Sequence, residues 1–273
     1  KQTKLQRVED LYRPYKQKKK TRATEAKRKG LEPLANWLKS SSLDMTIEEK
    51  ATQFLNEEIE NVEQAIQGAQ DIIAEQISDE PKYRTKILKD TFQHGKIVTQ
   101  KKKNAEDEQE IFSMYYDYSE PIKKIANHRT LAINRGEKEK ILTVKVEMDI
   151  QGIENFIRKY EVIYHHDGSN IIEKAISDSL KRLIMPSIER EIRGDLTEKA
   201  ENHAIDVFSE NLRNLLLQPP MKGKQILGVD PAFRTGCKLA VINPFGTFIA
   251  KGVIYPHPPV NKKEEAEKTF VQF

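Results

Sequence analysis

One acidic residue in the C-terminal part of the chain stands where it could do metal chemistry. Asp230 closes the apolar run at residues 226–229 and is followed by a turn at residues 231–236. A carboxylate at the carboxyl end of a strand could hold Mg²⁺, which prefers hard oxygen ligands and keeps waters for a phosphate substrate. A second interpretation stays open, because Asp often does no more than cap a turn.

A dense group of cations lies near the N-terminus. Residues 13–30 contain nine Lys or Arg residues against one acid, Glu25, with Tyr12 and Tyr15 beside them. These nine residues, called the basic segment below, are Arg13, Lys16, Lys18, Lys19, Lys20, Arg22, Lys27, Arg28 and Lys29. They could contact phosphates while the two rings stack on bases. Two alternatives stay open: the basic segment is a solvated face, or it pairs with the acidic residues 57–60.

The period of the apolar residues predicts the elements that carry these groups. Three short apolar runs between residues 225 and 254, split by Gly and Pro turns, predict an antiparallel meander. Most of the chain before it has helical periodicity, and short strands are predicted at residues 96–101 and 141–148. Because the Pro-rich residues 218–223 separate the two patterns, we predict a helical region over residues 1–220 and a second unit over residues 224–273.

Local signals add finer expectations about the helices. Thr46 begins a capping box, residues 106–116 are predicted to form a helix, and Pro121 is predicted to open another. Pro186 is expected to kink or split the helical run at residues 171–217, and Gly194 to interrupt it again. The apolar residues expected to face inward late in this run are Ala200, Ala204, Val207, Phe208, Leu212 and Leu215.

Composition excludes several classes of protein. The 273 residues are 32% charged with a net charge of +4, and no apolar run approaches the ~20 residues that span a bilayer. The single cysteine, Cys237, excludes an internal disulfide and a cysteine-based zinc site, and it is expected to be a buried small hydrophobe. The chain contains no HExxH, CxxC, Walker or GxSxG motif. A reducing, cytoplasmic setting is expected.

Several stretches together resemble the bacterial Tex family, the transcription accessory proteins with a C-terminal RNA-binding domain of S1 type. The stretches are EDLYRPYK at 9–16, TRAT at 21–24, GLEPL at 30–34, YSEP at 118–121 and NRGE at 134–137. The strongest is LGVDP at 227–231 with RTGCKLAV at 234–241. The likeness covers essentially the whole chain, in order.

The resemblance implies a fold and a function. The expected fold class is mainly α: a helical N-terminal and central region, followed by the truncated start of a YqgF domain of ribonuclease H fold, which is a small α/β part. The expected function is a non-catalytic, nucleic-acid-binding scaffold of transcription. Its expected partners are RNA or DNA, bound mostly through helix-hairpin-helix and S1 modules beyond residue 273, and RNA polymerase or other transcription machinery, but no membrane.

A different function stays open beside this one. Asp230-Pro231-Ala232 resembles the Asp-Pro-Gly turn of the resolvases, although Ala232 stands where glycine is usual. The alternative is therefore a metal-dependent nuclease of the resolvase type that uses Asp230. A two-metal site needs further carboxylates, which would lie beyond residue 273. No cofactor is expected, and Mg²⁺ enters only if the YqgF site is active.

Overall fold

A computed structural model describes Tyr12 and residues 20–40, 43–163, 166–219 and 221–273. The chain divides into two compact units after Val207. The first unit is mainly helical with one three-stranded sheet, and the second contains another three-stranded sheet followed by a helix. The predicted fold class, mainly α with a small C-terminal α/β part, is confirmed. Among the described helices, none is long and apolar enough to cross a membrane.

Helices dominate the first unit. They are α1 (Arg22–Arg28), α2 (Glu32–Leu38), α3 (Ile47–Thr52), α4 (Val62–Asp79), α5 (Pro81–His94), α6 (Asn127–Lys138), α7 (Ile150–Glu161), α8 (Ser169–Asp178) and α9 (Met185–Leu216), which continues past Val207. Side-chain caps explain where several of them begin. The predicted capping box at Thr46 is confirmed, because its Oγ1 accepts from the Glu49 N–H at 3.2 Å and Glu49 accepts from the Thr46 N–H at 3.0 Å.

Helix α4 lies at the centre of the first unit and contacts α1, α2, α3 and α8. Its inward face is made of small and β-branched residues, and Ala65, Ala69 and Ile72 are fully buried. Gly68 lies on the same helix, where a Cβ atom would stand 2.3 Å from Leu31 Cδ1. Glycine therefore allows Ala26 of α1, and Leu31 after it, to approach α4 closely.

The sheet of the first unit is antiparallel, in the order β2–β1–β3. Its strands are β1 (Lys96–Lys101), β2 (Asp117–Pro121) and β3 (Leu142–Glu147). Strand β3 alternates between buried and more exposed residues, which is the pattern of a strand with one face in the core. Both strands predicted outside the C-terminal meander are therefore present.

The predicted helix at residues 106–116 is wrong. The Asp107 carboxylate accepts hydrogen bonds from the N–H groups of Ile111, at 3.1 Å, and Phe112, at 3.0 Å. These side-chain bonds compete with helical backbone bonding, so the segment is a loop that contains no more than a short 3₁₀ turn at Ser113–Tyr115. The prediction for Pro121 is also wrong, because this residue ends β2 and the next helix begins at Asn127.

Pro186 is accommodated in a helical run that does not break. A π-helical segment, Ser179–Ile184, separates α8 from α9, and Pro186 lies in the first turn of α9. A π segment shifts the hydrogen-bond register, so that the missing N–H of proline falls where the helix tolerates it. The expected interruption at Gly194 is wrong, since α9 continues to Leu216.

The apolar stripe predicted late in this run is confirmed only at its start. Ala200 is fully buried, whereas every described residue from 201 to 219 is exposed, with Phe208 at 66% and Leu215 at 61%. The helical spacing correctly predicts an apolar face, but it does not predict whether that face is buried.

The second unit contains the predicted meander. Its strands β4 (Ile226–Asp230), β5 (Cys237–Ile242) and β6 (Phe248–Ile254) pair antiparallel in the order β4–β5–β6, and α10 (Lys263–Gln272) follows. Gly236, with φ +77°, turns the chain into β5, and a Cβ there would lie 2.7 Å from both Val253 and Tyr255. Cys237 is buried, as expected.

Candidate nucleic-acid interface

The structure describes part of the basic segment. Arg13, Lys16, Lys18 and Lys19 lie outside the described residues. The remaining members are Lys20, Arg22, Lys27, Arg28 and Lys29, which lie in α1 or directly beside it. Thr21 fixes where this helix begins, because its Oγ1 accepts from the Thr24 N–H at 3.0 Å. The buried Ala23 and Ala26 face the core, while Arg22, Lys27 and Arg28 on either side of them are exposed.

Acidic side chains pair with most of these cations. Arg28 Nη2 lies 2.7 Å from Glu25 Oε1 and 2.9 Å from Glu58 Oε2, and Lys29 Nζ donates to the Glu58 carbonyl oxygen at 3.1 Å. Lys20 Nζ lies 3.9 Å from Glu25. The hydrogen bond from Arg28 lowers the pKa of Glu25, and the two carboxylates raise the pKa of Arg28. Pairing with residues 57–60, one of the open alternatives, is thus observed at Glu58.

The remaining two described cations of the basic segment, Lys27 and Arg22, have different acidic neighbours. Lys27 Nζ lies 3.2 Å from Glu32 Oε1. Arg22 is exposed, and its positive charge interacts electrostatically with the buried carboxylate of Asp71. Burial raises the pKa of Asp71, while Arg182, 3.5 Å away, and Arg22 oppose that rise. Contact between the basic segment and phosphate stays a prediction, since the observed pairs lower the charge available to it.

Asp230 is exposed at the end of β4, directly opposite Lys238 on β5. Among the residues that the structure describes, there is no group of three or more His, Cys, Asp or Glu side chains that could hold a metal ion. One carboxylate facing a lysine does not fit Mg²⁺, which takes several oxygen ligands. The residues described here therefore give no basis for a metal-dependent step.

A group of exposed lysines that the sequence analysis did not select lies at one end of the first sheet. The sheet-end lysines, as we call them, are Lys102, Lys103, Lys138 and Lys140. Strand β1 ends opposite the start of β3, and the Lys102 N–H donates to the Ile141 carbonyl oxygen at 2.9 Å. Helix α6 ends at Lys138 beside them, with Lys140 at φ +64°. The run Lys101-Lys102-Lys103 was the signal in the sequence that could have found them.

Family comparisons match both parts of the chain, in order. The Tex central region-like model matches residues 43–208, and the Tex protein YqgF-like domain model matches residues 224–273.

Individual relatives agree with the two family models. The chain is 55% identical to the "Uncharacterized protein YdcI" of Bacillus subtilis, over 97% of this chain and 37% of that protein. It is 33% identical to the "Transcriptional accessory protein Tex" of Neisseria gonorrhoeae, over 93% of this chain and 34% of that protein. It is 32% identical to the human "S1 RNA-binding domain-containing protein 1", over 93% of this chain and 27% of that protein. The chain thus spans about a third of the length of the curated relatives it matches.

Proposed function

Because this chain belongs to the Tex family of transcription accessory proteins, we propose that it acts as a nucleic-acid-binding, non-catalytic scaffold of a transcription accessory factor. The observation that carries the proposal is the ordered match of both family models to the two regions of the chain. The names of two relatives, one a transcriptional accessory protein and one an S1 RNA-binding domain-containing protein, support it. Association with RNA polymerase or other transcription machinery, in the cytoplasm, belongs to the same proposal.

Binding by this chain is proposed to be electrostatic and independent of sequence. Cations that neutralise phosphates release condensed counterions, so affinity falls as salt rises. With a net charge of only +4 and most described members of the basic segment paired, the affinity is expected to be modest. A dissociation constant of roughly 10⁻⁴ to 10⁻⁶ M at physiological salt is the usual range for such binding.

Fluorescence anisotropy tests the proposal. The purified chain is titrated into two labelled single-stranded RNAs and two DNA duplexes of unrelated sequence, at several salt concentrations. We expect similar affinities for the two sequences of each kind and a linear fall of log affinity with log salt. Absence of binding to all four probes at low salt would contradict the proposal.

A nuclease assay tests the non-catalytic part of the proposal. We expect no cleavage of RNA or DNA with Mg²⁺ or Mn²⁺, because Asp230 is a single carboxylate opposite Lys238. Cleavage that disappears in Asp230→Asn, but persists in the control Asp117→Asn on the other sheet, would favour the resolvase-type alternative.

A further inference from the structure

The sheet-end lysines differ from the described members of the basic segment in their pairing. Lys20, Lys27, Arg28 and Lys29 all have acidic or carbonyl partners around α1. Within the part of the chain that the structure describes, no carboxylate lies within 4.0 Å of the ammonium groups of the sheet-end lysines. Exposed lysines are charged at neutral pH. Their full charge is therefore available to an external anion.

A purely structural role explains only part of this group. Cations at a helix C-terminus are stabilised by the helix dipole, which accounts for Lys138 and Lys140 at the end of α6. Lys102 and Lys103 follow strand β1, so they do not belong to a helix C-terminus. The backbone hydrogen bond from Lys102 to Ile141 places the end of β1 beside the segment that follows α6. The fold thus gathers lysines from two elements onto a single exposed end of the sheet.

We propose that the sheet-end lysines form a contact surface for the phosphate backbone of a nucleic acid. This inference rests on the proposed function and adds the surface that performs it. An array of unpaired ammonium groups matches a polyanion with regularly spaced charges, because each phosphate that is neutralised releases counterions. Phosphate contacts position a nucleic acid and carry no sequence information.

The neighbouring aromatic ring is not free to read bases. Lys101 Nζ lies over the Tyr116 ring, 4.4 Å from its centroid, and the Tyr116 hydroxyl donates to Asp107 at 2.8 Å. One face of the ring and its polar end are thus engaged within the protein. We therefore expect little stacking on bases, the usual source of preference for single strands, at this contact. The surface is expected to bind single strands and duplexes alike, with no preference for sequence.

Acidic residues in the adjacent loop limit the strength of the contact. Glu106, Glu108 and Glu110 are exposed in the segment that follows Lys103. They repel a phosphate backbone at short range, and salt screens this repulsion as it screens the attraction. The surface is expected to bind moderately at low salt and to lose affinity steeply as salt rises.

Two triple variants test the inference. In the first, Lys102, Lys103 and Lys140 are each replaced by Gln. In the matched control, Lys159, Lys174 and Lys199, which are exposed on α7, α8 and α9, are each replaced by Gln. Both variants lose the same net charge from the first unit. Thermal unfolding followed by circular dichroism checks that both remain folded, as expected for exposed positions.

Binding of labelled single-stranded RNA and duplex DNA is then measured against salt for all three proteins. If all three lysines contact phosphates, the slope of log affinity against log salt falls in magnitude in the first variant by about 2.1 on the single strand and about 2.7 on the duplex, at about 0.7 and 0.9 per contact. The control keeps the slope of the parent.

The other outcomes overturn the inference in distinguishable ways. If the parent binds neither probe, the proposed function and this inference fail together. If the parent binds and the first variant keeps its affinity and slope, the proposed function stands and this surface is not the contact. If both variants weaken equally, binding follows net charge, and a specific role for the sheet end is excluded.

Discussion

At the residue scale, the pairing of charges decides which cations are available to a ligand. Arg28 lies between Glu25 and Glu58, and the carbonyl of Glu58 also holds Lys29. Glu58 lies 30 residues from Arg28 along the chain, so this partnership depends on how the loop before α4 folds back. A cluster of cations in a sequence therefore overstates the positive charge that the folded surface presents.

Replacing Glu58 with Gln should strengthen the binding of an oligonucleotide. The change removes one partner of Arg28 and one negative charge beside Lys29. Because Arg28 keeps Glu25 and Lys29 keeps the backbone carbonyl of Glu58, no more than about one phosphate contact is gained, and the salt slope is expected to steepen by up to about 1. Salt-dependent anisotropy measures this. Glu60→Gln, an exposed control with the same change in charge, should have a smaller effect, and equal effects would show that the pairing is irrelevant.

Replacing Asp107 with Asn should destabilise the fold at neutral pH. Hydrogen bonds from the Phe112 N–H, the Tyr116 hydroxyl and the Ile111 N–H hold the pKa of Asp107 below its ordinary value of 3.8. A lowered carboxyl pKa contributes stability above the unfolded pKa, and that contribution disappears as pH falls through the folded pKa. Asn offers one acceptor oxygen where the carboxylate offers two.

Unfolding temperatures followed by circular dichroism between pH 7 and pH 3 measure this effect. The parent should exceed the Asp107→Asn variant at pH 7, and the difference should narrow as pH falls below about 3.9. Asp117→Asn, at an exposed position on β2, is the control. A difference that stays constant with pH would show that ionisation of Asp107 contributes nothing.

At the element scale, helices and strands follow from sequence where their signals are local. The capping box at Thr46, the first-turn proline of α5 and the strand β1 all lie where short-range chemistry places them. The apolar spacing around Asp107 is helical and predicts a helix. The structure has a loop there because the Asp107 carboxylate accepts hydrogen bonds from backbone N–H groups. The charge pairs around α1 and the lysines at the sheet end depend on residues brought together by the fold, which periodicity does not report.

Replacing Gly68 with Ala should destabilise the first unit. Its Cβ would lie 2.3 Å from Leu31 Cδ1, and overpacking of this kind costs about 1–3 kcal/mol. That cost outweighs the gain of up to about 1 kcal/mol that Ala has over Gly inside a helix. Chemical denaturation measures the free energy of unfolding.

Gly194→Ala is the matched control for this change. It lies within α9 with no atom within 4 Å of its added Cβ, so it should stabilise by about 0.5–1 kcal/mol. If both variants shift in the same direction, close packing at Gly68 is not the cause.

At the scale of the whole molecule, the predicted boundary at residues 218–223 can be tested by limited proteolysis. Lys222 and Lys224 are exposed and lie outside any helix or strand, whereas Arg213 lies within α9. Trypsin needs locally unfolded backbone, so we expect its first cut among the described residues at Lys222 or Lys224. Mass spectrometry of the early products identifies the site. An earlier cut at Arg213 would contradict this prediction and favour a boundary inside α9, where the structure divides the two units after Val207.

The close approach at Gly68 also constrains how this protein changes over generations. A side chain at this position is less destabilising when the side chain at position 31 is shorter, because Leu31 Cδ1 occupies the space. Leu31→Val should therefore recover part of the stability lost in Gly68→Ala, although each change alone is unfavourable. The two positions form a coupled pair, so the path from one acceptable combination to the other crosses a less fit intermediate. Relatives with Ala in place of this glycine should carry a smaller residue at the partner position.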